Sequence, residues 1–161
     1  LLQLSYSEAY AFEKKNNEKL DLATVAQQCA DSFTDVSKQT TIELELDSAC
    51  VLGNRTLFIE LLNNLIDNAL KYSASKSNVL IETYTDDQLA ILQVTDSGPG
   101  IPAELRQLVT ERFFRASENT TGSGLGLAIV KEVVLVHHGE MQILTGKDGS
   151  GTRIRCTFPQ A

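Results

Sequence analysis

In the stretch ELLNNLIDNALKY, Asn64 and Asn68 stand four residues apart and Lys71 follows three later. On a helix all three project from one face. Asparagine is a mediocre helix former, because its amide competes for nearby backbone groups. Two of them in line with a lysine make a polar stripe suited to an anion and a hard cation. An amide oxygen is a fit ligand for Mg²⁺, which commonly arrives sharing phosphate oxygens. A merely solvated helix face is the other reading of this segment alone.

A second group is VTDSGPGIP, where a strand ends at Asp96 and Gly98 and Gly100 follow. Glycines here permit positive φ and let a flat ligand approach the backbone. A carboxylate only accepts hydrogen bonds. At a pocket floor Asp96 would take one from the exocyclic amine of adenine, whereas guanine presents a carbonyl oxygen there. That mismatch costs a few kcal/mol once water is excluded. An ordinary Asp-Gly turn is the alternative.

The third group is TTGSGLGLAIV, with glycines at 122, 124 and 126 running straight into an apolar helix. Bare backbone N–H groups beside a helix N-terminus form a phosphate cradle. A dinucleotide fingerprint is excluded by the GxGxG spacing and the preceding polar loop. A P-loop is excluded because Leu127-Ala128 follows where Lys-Ser/Thr is required. A flexible linker is the alternative here.

These groups have to be positioned by the elements around them. The opening segment LLQLSYSEAYAFEKKNNEK starts apolar and ends polar, like the end of a longer helix running into a linker. Asp21 can cap a helix whose apolar positions run Leu22, Val25, Ala26, Cys29, Phe33 and Val36. TIELEL alternates strictly, as a half-buried strand does. CVLGN is a short strand or turn. Helical spacing returns from Thr56 to Tyr72, with Leu57, Leu61, Leu65 and Leu70 as core candidates. SNVLIETYT and QLAILQVTD are strands around the Asp86-Asp87 turn. A short helix is expected near Pro102, then a polar, mobile loop through FFRASENTTGSG. The last helix is expected over Leu125–His138 and ends at Gly139. EMQILTG and TRIRCTF close as a hairpin around KDGSG. The expected class is α+β, a two-layer sandwich with several antiparallel strands and three main helices.

Length and composition narrow the function. The chain has 161 residues, enough for one domain with a real core. A net charge of −7 and the absence of tryptophan argue against a nucleic-acid partner. Cys29, Cys50 and Cys156 are odd in number and form no CxxC pair, which fits reduced structural thiols in a cytosolic compartment. His137 and His138 have no carboxylate or thiol at metal-ligand spacing. No signal peptide is visible, and no apolar run approaches the roughly 18 residues of a membrane span.

Together the motifs resemble the ATP-binding catalytic domain of sensor histidine kinases, in the superfamily of the gyrase, Hsp90 and MutL ATPase domains. NNLIDNALKY is similar to the N box, DSGPG to the first glycine box, ERFFR to the F box and GSGLGL to the second glycine box. Order and spacing agree over about residues 22–159. The resemblance implies a Bergerat-type fold, a mixed, mostly antiparallel sheet backed by helices, with a mobile ATP lid over roughly Pro102–Ser123. It implies ATP and Mg²⁺ as cofactors. Asn68 becomes the metal ligand, with Asn64 a second polar contact to metal and phosphate. Lys71 faces the phosphates and Tyr72 packs beside the nucleoside. Asp96 reads adenine in a pocket shaped by Gly98 and Gly100 and walled by Ile101. Thr152 supports Asp96 through its hydroxyl or a water. Gly122, Ser123, Gly124, Leu125 and Gly126 hold phosphates, and Arg115 steadies the γ-phosphate. Phe113 and Phe114 anchor the lid, or, as exposed aromatics beside a mobile loop, dock a partner.

The resemblance further implies a division at residue 20. Residues 1–20 are the tail of the dimerisation and phosphoacceptor helix with a linker, and 21–161 the catalytic domain. The phosphoacceptor histidine then lies on a separate dimerisation domain. A cognate response regulator and a homodimeric, membrane-anchored bacterial sensor with this domain in the cytoplasm are implied as well. His137 and His138 lie outside any H-box context. Glu140 stands where the family often has a second glycine, and Asn54 where an aspartate is common. Three competitors share parts of this pattern: a stand-alone ATPase, an anti-sigma-factor serine kinase, and an interaction module that binds no nucleotide. The ATPases usually carry glutamate at the position of Asn64 as general base. The LLQLS helix tail argues against the serine kinase. The intact Asn68, Asp96 and glycines argue against the interaction module.

Overall fold

The computed structural model describes residues 17–33, 40–73, 76–110, 126–146 and 149–161. The expected helix tail within 1–16, the F box with Phe113, Phe114 and Arg115, the 111–123 part of the expected lid, and Gly122, Ser123, Gly124 and Leu125 all lie outside the described residues.

Seven strands and three α-helices occur among the described residues, in the order β1 (Glu18–Asp21), α1 (Leu22–Ser32), β2 (Thr41–Leu46), β3 (Cys50–Gly53), α2 (Arg55–Tyr72), β4 (Asn78–Asp86), β5 (Leu89–Asp96), α3 (Gly126–Val136), β6 (Glu140–Thr145) and β7 (Thr152–Pro159). Five strands form one sheet in the order β2-β4-β5-β7-β6. Only β2 and β4 run parallel; the other pairs are antiparallel. This is the expected α+β arrangement with a mixed sheet.

Strand parity builds the core. Val79, Ile81 and Thr83 of β4, Ala90, Leu92 and Val94 of β5, and Ile154, Cys156 and Phe158 of β7 alternate inward and are buried. On α2, Leu57, Phe58, Leu61, Leu62, Leu65, Ile66 and Ala69 form the stripe that meets them. Phe58 meets Phe158 edge-on at a ring-centroid distance of 5.1 Å. Burying one such side chain contributes about 2–3 kcal/mol.

Helix ends follow from local chemistry. Asp21 Oδ1 accepts from the Ala23 amide at 3.0 Å and from the Ala49 amide at 2.9 Å, so the α1 cap also ties down the β2–β3 turn. Asn54 caps α2, its Oδ1 accepting from Leu57 N at 3.0 Å. An amide oxygen serves this position as well as an aspartate does.

Three expectations change. Residues 18–20, read as linker, form β1 against β3, and Leu20 is buried. The Leu20 side chain completes a core face that the polar neighbourhood NNEK conceals. The helix expected near Pro102 is two single 3₁₀ turns, Ala103–Leu105 and Leu108–Thr110. The left-handed residue closing α3 is His138, at φ 61°, and not Gly139. Gly139 N bonds Val134 O at 2.9 Å and His138 N bonds Leu135 O at 3.0 Å, a Schellman closure. Gly139 is needed for space instead: a Cβ there would sit 2.6 Å from Thr157 O.

A candidate nucleotide site between α2, the end of β5 and the start of α3

Parity carries Asp96 inward. It continues the row Ala90, Leu92, Val94 to the last residue of β5 and is only 6% exposed. Its register partner across the sheet is Thr152, the first residue of β7. Asp96 Oδ1 accepts from Gly98 N at 2.9 Å and from Thr152 N at 3.2 Å. Oδ2 has no partner among the described residues, so one acceptor oxygen is left for a ligand. Burial raises the carboxyl pKa, against the two amide hydrogen bonds that lower it. The support from Thr152 comes through its backbone amide, where a hydroxyl or water was expected. Strand register decides this, because the amide of the paired residue already lies against the carboxylate.

The first glycine loop fits against the end of α2. A Cβ on Gly98 would lie 2.1 Å from Tyr72 O and 3.2 Å from Asp96 Oδ1. Only glycine lets the loop close onto the helix terminus at that distance. Gly100 has φ +81°, and a Cβ there would lie 3.1 Å from Gly151 O. Half-buried Ile101 then packs against the core.

On α2, Asn64, Asn68, Lys71 and Tyr72 are half-buried along the flank of the apolar stripe. Asn64 Nδ2 donates to Glu60 O at 2.8 Å. A carbonyl can only accept, so this bond fixes the amide's orientation and turns Oδ1 the other way. That oxygen lies 3.5 Å from where a Cβ of Gly126 would be, at the first residue of α3. Lys71 Nζ sits 2.9 Å from Asp67 Oδ2. The structure thus brings Tyr72, Asp96, Gly98 and Thr152 together, and Asn64 with Gly126.

Two structural relationships escaped the sequence reading. Gly151, in a stretch read as a turn, has φ +76°, and a Cβ there would lie 2.0 Å from Asp96 O. The signal was the Gly-Ser-Gly-Thr run that leads into β7. His137 is buried between α3 and the start of α2. Its Nδ1–H donates to Val133 O at 2.7 Å, while Nε2 accepts from Asn54 N at 3.2 Å. A Cβ on Gly53 would fall 2.7 Å from its ring.

Comparison with known proteins agrees with the fold. Residues 53–161 match the family model for the histidine kinase-, DNA gyrase B- and HSP90-like ATPases. The chain is 33% identical over 145 residues to the sensor protein kinase PmrB of Pseudomonas aeruginosa, covering 88% of this chain and 30% of that protein. It is 35% identical over 151 residues to the sensor-like histidine kinase SenX3 of Mycobacterium tuberculosis, covering 89% of this chain and 37% of that protein. The chain thus spans about a third of the length of the curated relatives it matches. The solved structure of the mycobacterial sensor histidine kinase MprB superposes with a TM-score of 0.81 at 34% identity, over 89% of this chain and 97% of that one. With the family model, the fold and the order of the motifs in agreement, the chain belongs to the histidine kinase-, DNA gyrase B- and HSP90-like ATPase family, as a catalytic ATPase domain of the sensor histidine kinase type.

Proposed function

We propose that this chain binds ATP with Mg²⁺ and donates the γ-phosphoryl group to a histidine on a separate dimerisation domain, for relay to an aspartate of a response regulator. The observation that carries this reading is Asp96: buried, held at Oδ1 by two amides and unpartnered at Oδ2 among the described residues. A fixed acceptor-only group of this kind accepts from the adenine amine and rejects guanine. Gly98, Gly100 and Ile101 shape the base pocket, and Tyr72 packs beside the nucleoside.

The donor set suits a hard cation. Asn64 has committed its amide nitrogen to Glu60 O, so its oxygen is the end available. Asn68 lies one turn further on the same face. Asn68 is the metal ligand, with Asn64 contacting metal and phosphate. When bound, Mg²⁺ neutralises phosphate charge. Lys71 exchanges Asp67 for a phosphate. Gly122, Ser123, Gly124, Leu125 and Gly126 supply the phosphate cradle, and Arg115 steadies the γ-phosphate. Phosphoryl transfer demands mostly positioning and charge neutralisation, which these groups provide on the donor side.

The stand-alone ATPase reading is disfavoured by position 64. Asparagine cannot take a proton from water, and its amide is already oriented by Glu60. The proposal also assigns residues 1–17 to the dimerisation helix and linker, since residues 18–20 belong to β1 of this domain. It places the domain on the cytoplasmic side of a membrane-anchored homodimeric sensor.

The test is incubation with γ-labelled ATP, Mg²⁺ and a separately prepared phosphoacceptor domain. Label should appear on that partner's histidine and not on this chain. Binding of ATP without any transfer, across a panel of phosphoacceptor domains, would remove the kinase assignment.

A further inference from the structure

Arg106 lies in the stretch expected as lid and has no ligand role above, yet its guanidinium joins three acceptors on two separate pieces of chain. Nε donates to Ile101 O at 3.0 Å, Nη1 to Ile143 O at 3.2 Å and Nη2 to Thr145 Oγ1 at 3.1 Å. Only arginine presents enough donors in one rigid plane for this. Ile101 directly follows the first glycine loop. Ile143 and Thr145 belong to β6, the edge strand of the sheet.

Both grips lead to the candidate site. On one side the Ile101 carbonyl is held, and with it the residue that walls the base pocket. On the other side Thr145 is the register partner of Thr152, whose amide donates to Asp96 Oδ1. Gly146 N also bonds Gly151 O at 3.3 Å, and a Gly100 Cβ would lie 3.1 Å from that same oxygen. One side chain therefore ties the wall segment to β6, whose Thr145 pairs with the Thr152 that holds the purine-reading acid.

We propose that Arg106 is a positioning residue for base recognition. Through Ile101 and the β6–β7 end it sets the spacing between the apolar wall and the Asp96 carboxylate. This rests on the nucleotide reading above. A residue that only covers the sheet edge would affect stability and leave the selectivity of the folded protein alone. A positioning residue alters selectivity itself, because preorganisation of the pocket is lost.

The experiment measures affinity for ATP and GTP in the whole 161-residue chain, by competition against a fluorescent ATP analogue, beside thermal unfolding without nucleotide. Arg106→Met should weaken ATP binding on the order of tenfold while changing GTP binding little, so the ATP-to-GTP preference falls by nearly the same factor. Arg106→Lys should recover only part of the preference, since an ammonium cannot serve three separated acceptors. Thr145→Val, which removes one acceptor and keeps the fold's apolar volume, should lower it less. An unchanged preference in folded Arg106→Met overturns the proposal, whatever its melting temperature. Should Arg106→Met not fold, an unchanged preference in both Arg106→Lys and Thr145→Val overturns it equally. Failure of the unmodified chain to bind ATP overturns the nucleotide reading, and this inference with it.

Discussion

The Thr152 amide donates to Asp96 Oδ1 at 3.2 Å across 56 residues of sequence, because the two are register partners at the ends of β5 and β7. The carboxylate is therefore oriented by the sheet, and Oδ2, without a partner among the described residues, is aimed by strand register.

Asp96→Asn is expected to weaken ATP binding strongly and to erode preference over GTP, measured by calorimetry. The same variant should be more stable than the parent at neutral pH when no nucleotide is present. Burial raises the Asp96 pKa, so its ionised form opposes folding. The sign follows: the stabilising contribution is complete below the unfolded carboxyl value, near 3.8, and is lost as pH rises through the folded one. The gap between variant and parent should close as the solution is acidified. A gap that stays constant across the acid range would contradict the burial argument.

Asn68→Ala should abolish the Mg²⁺-dependent part of ATP affinity while leaving the fold intact, since Asn68 is a half-buried flank residue. Titrations with and without the metal check this. Undiminished Mg²⁺ dependence would mean that another group holds the ion.

Arg115→Ala should spare ATP affinity and slow phosphorylation of a supplied dimerisation domain by 10-fold or more, about 1.4 kcal/mol of transition-state stabilisation. Single-turnover kinetics reads this directly, and an unaltered rate would remove Arg115 from the transfer step.

Gly98→Ala should cost a few kcal/mol and lower nucleotide affinity together. A Cβ 2.1 Å from Tyr72 O forces the loop away from the end of α2. Chemical denaturation and ATP titration measure the two effects. Stability within about 0.5 kcal/mol of the parent would show that the loop yields without consequence.

His137 gives a second pH signature. Burial lowers its pKa, the Val133 hydrogen bond opposes this, and the neighbouring His138 charge adds to the lowering. Its neutral Nδ1–H form is fixed by Val133 O on one side and Asn54 N on the other. Here the folded value lies below the unfolded one, near 6.5. Stability is thus full above pH 6.5 or so and is lost as pH falls through the folded value. His137→Gln should flatten that part of the profile, seen in melting temperature against pH. His137→Ala should cost about 2–4 kcal/mol, from the space left beside Phe58 and an unpaired Asn54 amide.

Much of this molecule follows from short-range pattern. Period-2 alternation in TIELEL and helical spacing over Leu57–Ala69 are local properties, so the elements and the inward face of each could be read directly. The three glycine-and-asparagine groups were legible for the same reason: i, i+4 spacing and unsubstituted backbone carry their chemistry without knowledge of neighbours. Hidden from the sequence were the relationships that cross the sheet or join separate elements. Leu20 looks like linker until β3 pairs beside it. Gly151 looks like a turn residue until β7 brings it under Asp96 O. Arg106 is one residue of a stretch read only as a short helix until its fork meets Ile101, Ile143 and Thr145. His137 looks like a helix end until Phe58 and Asn54 close around it. Residue type and spacing alone singled out the groups proposed to bind a nucleotide, because those are intrinsic to the local chain. Which amide orients Asp96, which glycine yields space to it and which side chain braces the pocket were decided only by tertiary register, because strand pairing sets contacts between residues that share no local pattern.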